Sequence, residues 1–265
     1  MALRSKKRQS KIRKKPALPK AGTQNQADYS TQSQHEILAL RIAEERQQTL
    51  VDKFSGNDAE GKYRKFFELM EESYGMFNTM IDELTLNPPL ACKRGCIYCC
   101  INQVSLTEPE ALYLGFHLLE NRSLKQLQDL KIKTQALLTE LKGKNRQQIG
   151  MERHLHPCLF MEDGTCSIYP ARPFVCRGWN SVNAEMCKHS NQTGDALAPI
   201  ENHPLPRILA DSIQLGLLNG AKGIGLEAGY LLLARAVSML LEGGADRVVE
   251  LTQDWLEGRP LFAKA

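Results

Sequence analysis

All eight cysteines of this chain fall between Cys92 and Cys187. They form two blocks: Cys92-Lys-Arg-Gly-Cys96-Ile-Tyr-Cys99-Cys100, then Cys158, Cys166, Cys176 and Cys187. Structural cysteines behave as small hydrophobes and sit in apolar helices. These avoid the apolar segments, so eight unrelated buried thiols is a weak reading. A disulfide framework is the other alternative. A chain of 265 residues can bury a core without staples, and its cysteine density is well under the roughly 8–10% of disulfide scaffolds. No apolar run near the N-terminus resembles an export signal, and no segment reaches the roughly 18 apolar residues of a membrane span. The expectation is a cytoplasmic protein with thiols kept reduced.

Reduced thiols gathered this way point to metal. Thiolates are soft donors that select zinc, Cu(I) or iron–sulfur clusters. On a helical turn, Cys92, Cys96, Cys99 and Cys100 would share a sector of about 100°, with Gly95 loosening the turn. Adjacent Cys99 and Cys100 can hardly both complete one relaxed tetrahedral zinc site. They suit a polynuclear centre, or one ligand beside a second thiol. Structural zinc commonly uses two CxxC pairs. One compact run with four dispersed cysteines is nearer iron–sulfur habits. The expected ligands are Cys92, Cys96, Cys99, Cys100, Cys158, Cys166, Cys176 and Cys187, and the expected cofactor is an iron–sulfur cluster of the 4Fe-4S type, or zinc.

Cys92-x3-Cys96-x2-Cys99-Cys100, followed by Val104-Ser-Leu-Thr107-x-x-Glu110, resembles the opening of the YkgJ-like cysteine-cluster family, named for its CxxCxxCC motif. Pro157-Cys158-Leu-Phe, then Gly164-x-Cys166-x-Ile168-Tyr169-Pro170-x-Arg172-Pro173-x-x-Cys176-Arg177, resembles its second signature. The resemblance implies a zinc- or iron-chelating domain, with Cys92, Cys96, Cys99, Cys100, Cys158, Cys166 and Cys176 as positional equivalents. The first gap holds three residues where the family's holds two, and Cys187 lies outside the motif. Flagellin lysine N-methylases resemble this family, which supplies the alternative of an iron–sulfur-dependent lysine methyl transfer. The C-x3-C-x2-C spacing is also that of radical SAM enzymes, but their barrel needs repeated βα units and this chain reads as helices and loops.

The fold class expected is mainly α: helical flanks around an irregular, cysteine-rich region. A modest helix is expected over 35–54. Tyr63, Phe66, Phe67, Met70, Tyr74, Phe77, Ile81 and Leu84 then share one helical face, which Asn87-Pro88-Pro89 terminates. Thr107 and Glu110 spell a capping box with Pro109 in the first turn, so a helix should run from about 108 to Glu120. Ser123 and Gln126 open another, ended by Lys142-Gly143. Residues 144–204 read as loops and turns, with Asp163-Gly164 turning a short hairpin. Helices return at about 206–219, 225–242 and 245–256, with glycines 220, 223 and 225 as helix ends. The domain boundaries that follow are a tail over 1–33, N-terminal helices over 34–88, the cysteine region over 89–204 and C-terminal helices over 205–265.

Charge is uneven along the chain. Residues 1–20 carry nine Lys and Arg and no acid, while the whole chain is only +4. Such a tail cannot bury enough apolar surface to order itself. Its expected partner, beyond solvent, is an anionic one, a nucleic acid or an acidic surface. Near the cysteines, Arg172 and Arg177 either offset thiolate charge or pair with carboxylates. Tyr169 and Trp179 either shield the site or pack the core. Of His154, His156 and His189, His156 is the one placed to join a mixed Cys/His set, although the thiols suffice without it.

Overall fold

The aromatic spacing after Gly61 builds the helix it predicts. In the computed structural model, which describes residues 26–55, 61–244 and 246–260, helix α2 spans Lys62–Glu83 and buries Phe66, Leu69, Met70, Tyr74 and Phe77 on one face. Before it, α1 runs Gln26–Phe54, starting several residues earlier than the sequence pattern indicates. The basic stretch Arg4–Lys20 and any contact it makes lie outside the described residues.

Capping chemistry fixes the next two helices where expected. Helix α3 spans Glu108–Asn121 from its Thr107 N-cap, and α4 spans Leu124–Leu141 from Ser123, whose hydroxyl accepts from the Gln126 amide. After α5 (Arg146–Met151), strands β2 (Met161–Glu162) and β3 (Thr165–Cys166) form the expected hairpin. Met161 pairs with Cys166 and Glu162 with Thr165. Its two turn residues, Asp163 and Gly164, take φ of 47° and 71°, the positive pair that a tight right-twisted hairpin requires. Strand β1 (Ser105–Thr107) lies ahead of α3 and pairs antiparallel with β4 (Tyr230–Leu232).

Two expectations are corrected. Residues 144–204 are mainly turns and irregular chain, as expected, with α6 (Phe174–Gly178) and the ten-residue α7 (Ala184–Thr193) set within them. The expected helix over 225–242 is divided: β4 takes Tyr230–Leu232 and α9 only Leu233–Leu240. Pairing with β1 outweighs the helical pattern there. Gly220 ends no helix. It lies inside α8 (Pro204–Gly223), where a Cβ would stand 2.9 Å from the Leu50 Cβ of α1. Helix α10 (Asp246–Leu256) closes the fold.

Two cores result. The larger joins α1, α2, α8 and α10 through Leu50, Phe66, Phe77, Ile213, Leu217 and Trp255. The second gathers Leu106, Leu114, Leu118, Phe160, Ile168 and Val237. Helix α3 is the shared wall, with Leu112 in the first core and Leu114 and Leu118 in the second. The fold is mainly α, with two two-stranded sheets among the described residues. No helix among them is long and apolar enough to cross a membrane.

Candidate metal centre

The first cysteine block is not a helical turn. It is a string of tight turns: the Cys96 amide donates to Lys93 O at 3.0 Å, Cys100 to Ile97 O at 2.8 Å and Asn102 to Cys99 O at 3.1 Å. Gly95, at φ 89°, reverses the chain where a side chain would strain it. Both ends of the loop are tied to the second block. The Ala91 amide donates to Ser181 O at 2.8 Å, and the Cys158 amide to Cys100 O at 2.7 Å. Between them, Asn191 Nδ2 of α7 donates to Tyr98 O at 3.1 Å, and Gln103 Nε2 donates to His156 O at 2.7 Å. These bonds bring together residues far apart in sequence, including the neighbours of Cys187.

The second block draws its cysteines from four elements. Cys158 enters the hairpin, Cys166 sits on β3, Cys176 on α6 and Cys187 on α7. Helix α6 is held from three sides. Phe174 stacks on Tyr74 of α2, ring centroids 4.6 Å apart. Gly178 packs so closely on α8 that a Cβ would stand 2.7 Å from that of Ala210. At the other end, the Phe174 amide donates to Glu110 Oε1 at 2.7 Å. Glu110 is buried, and its Oε2 also accepts from the Thr107 amide, the Thr107 hydroxyl and Gln214 Nε2. The capping-box residue that starts α3 therefore also fixes the start of the helix carrying Cys176.

All eight cysteines are free thiols. Cys92 is pushed up to about 11, mainly by burial, with the thiolates of Cys96, Cys99 and Cys187 adding to the rise and the Ser181 amide opposing it. That amide stands 3.2 Å from Cys92 Sγ. Burial also pushes Cys158 up to about 11, with Cys166 and Cys99 adding to it. Cys176 is raised well above the usual thiol range by burial first and then by Cys158 and Cys99. Cys99 is raised by its hydrogen bond with Cys100 and by burial. Burial raises Cys166, and the Arg172 guanidinium pulls it back. The sulfurs of both blocks thus feel one another's charge.

Among the described residues, no three Cys, His, Asp or Glu side chains stand close enough, as placed, to enclose an ion. The donor chemistry fits a soft metal nonetheless, since soft thiols from both blocks are held on adjoining backbone.

Other candidates sort by geometry. Arg172 lies over the Tyr169 ring at 4.2 Å and lowers the pKa of Cys99, Cys166 and Cys176, so it faces the thiols. Arg177 braces the scaffold, with Nε donating to Arg172 O, Nη1 donating to Asn78 Oδ1, and the guanidinium over the Tyr74 ring. His156 is buried with Nδ1 3.1 Å from Glu140 Oε2 and Nε2 3.4 Å from Lys144 Nζ, a polar cluster of its own. The His154 ring packs against Gly194. Trp179 lines a cleft of about 360 Å³ together with Cys92, Cys96, Cys99, Cys187 and Arg153. Ser181 and Asn191 carry no sequence signal for these roles. Each acts through a contact with the first block's backbone that spacing does not encode.

Residues 91–194 match the family model described as "CxxCxxCC: Putative zinc- or iron-chelating domain". The match spans 104 of the chain's 265 residues. The match begins beside Cys92 and reaches the end of α7, so it takes in Cys187, which the motif itself leaves outside. No curated protein and no solved structure matches the chain.

Proposed function

We propose that the protein is a thiolate metal chelator whose eight cysteines hold iron–sulfur, with zinc as the competing metal. The observation that carries this reading is the joining of the two blocks, most directly by the Cys158 amide on Cys100 O at 2.7 Å. Separate backbone segments converge on a set of free soft donors, with Arg172 offsetting their charge. The domain's description covers zinc and iron alike. The preference for iron–sulfur rests on one compact run with dispersed partners rather than paired CxxC knuckles. A bound cluster would supply electron transfer or a redox-sensitive link, and bound zinc a structural one. The chelating unit on this reading is residues 89–204 between helical flanks. It belongs in a reducing compartment, the cytoplasm, where thiols persist. The basic tail Arg4–Lys20 would contact an anionic partner.

The test is purification of the full chain without oxygen, followed by metal and acid-labile sulfide analysis and visible spectroscopy. Iron with matching sulfide, and a broad absorption bleached by dithionite, are the expected results. Colourless protein holding only zinc keeps the chelator and discards iron–sulfur. Protein that holds neither metal and takes up neither on anaerobic reconstitution sinks the reading.

A further inference from the structure

The eight thiols are not distributed around one point. Cys92, Cys96, Cys99 and Cys187 line the cleft beside Trp179 and Arg153. Cys158, Cys166 and Cys176 line no part of it and pack instead against the second core, with Phe160, Ile168 and Val175. The scaffolds differ as well. Cys92 and Cys187 hang on the loop around Ser181 and on α7. Cys158, Cys166 and Cys176 hang on the hairpin and α6.

We propose that the chain carries two metal centres: an outer one on the cleft, built on Cys92, Cys96 and Cys187, and an inner one against the core, built on Cys158, Cys166 and Cys176, with the adjacent pair Cys99–Cys100 at their junction completing both. The proposal rests on the chelator reading and adds the count and partition of its sites. Neighbouring thiols cannot easily serve one tetrahedral ion, but they can serve two ions that sit side by side. Four thiolates per centre is the ligand number of a closed zinc site and of a cubane cluster. The adjacent pair touches both sets: Cys99 lines the cleft, and the Cys158 amide donates to Cys100 O at 2.7 Å.

The two centres differ in access. The outer set opens on the cleft. The inner set packs against the second core. The outer metal should therefore leave first to a chelator.

Cobalt(II) tests the partition, because its thiolate charge-transfer absorption counts tetrathiolate sites whichever metal is native. Titration of the reduced full chain is expected to saturate at two equivalents. Cys187→Ser and Cys176→Ser should each saturate at one, and the double variant should bind none. Cys96→Ser and Cys158→Ser repeat the comparison through different loops, in case one variant loses its helical circular dichroism. Chelator challenge of the two-metal protein should be biphasic, and Cys187→Ser should lack the fast phase. Saturation of the wild type at one equivalent, or loss of all metal from either single variant of both pairs, overturns the two-centre proposal while leaving the chelator intact. A wild type that binds no cobalt at all instead removes the reading on which it rests.

Discussion

Glu108 shows how far burial alone can move a group. Its carboxyl is buried at the first position of α3 and accepts one bond from the Gly229 amide at 2.8 Å. Burial raises it from 4.5 to about 7, against the pull of that amide. A carboxyl raised on folding favours the native state most where it is protonated in both states. The unfolded chain releases the proton first as pH climbs, so stability falls between about pH 4.5 and 7. The shift corresponds to roughly 3 kcal/mol at most. Glu108→Gln keeps an acceptor for Gly229 and cannot ionise. Urea midpoints of the variant and the wild type are expected to coincide near pH 4.5 and to separate above pH 7, with the variant the more stable. Parallel pH profiles would show that Glu108 ionises in the fold at no such cost. Burial raises its neighbour Glu110 as well, and the four donors it accepts from offset part of that rise.

Among the elements, α1 and α8 meet by means of missing side chains. A Cβ on Gly216 would stand 2.5 Å from Ala43 O and 2.6 Å from the Arg46 Cβ. Alanine would gain about 1 kcal/mol of helix propensity over glycine, but it presses against backbone that cannot swing aside, and overpacking costs about 1–3 kcal/mol. Gly216→Ala is expected to lower the thermal midpoint, and an unchanged or raised midpoint would refute the close-packing account. The sequence could not announce this contact, because a glycine in a helical pattern looks alike whether it ends a helix or admits a neighbour. It did announce α2, α3 and α4, whose signals are local: an aromatic stripe for α2, and the Thr107–Glu110 and Ser123–Gln126 boxes for the others. Helix α7 was harder to read. Ala184–Thr193 has no apolar stripe, and what marks it lies in its ends, Asn183 accepting from the Glu185 amide and Gly194 at φ 70°. The split of 225–242 was illegible for a different reason, since β4 exists through its pairing with β1, more than a hundred residues away. The candidate site divides along the same line. Which thiols are candidates is written in their spacing, but which backbone segments adjoin is decided by loops closed through Ser181, Asn191 and Glu110.

At the scale of the whole molecule, the helical flanks and the first cysteine block are stabilised by different means. The first core runs through α1, α2, α8 and α10 and is filled by large buried side chains. The first cysteine block holds its place by isolated bonds: Ala91 to Ser181, Asn191 to Tyr98, Cys158 to Cys100. A metal held by the assembled loops and not by the unfolded chain would add its binding free energy as local stability. Segments that open by sub-global unfolding gain most from it, whereas helices that open only with the whole molecule gain less. Amide hydrogen exchange of the zinc-loaded and metal-free full chain should therefore differ most over 92–100 and 158–187 and least over Ile42–Phe54 and Leu209–Leu217. Binding requires thiolates, and burial has raised Cys92 and Cys158 to about 11. Each ligand must surrender a proton to the metal, so the added protection should fade as pH is lowered. Equal protection gained along the entire chain, or protection independent of pH, would mean that the loops are as firmly built as the helices and that thiolates are not what the metal holds.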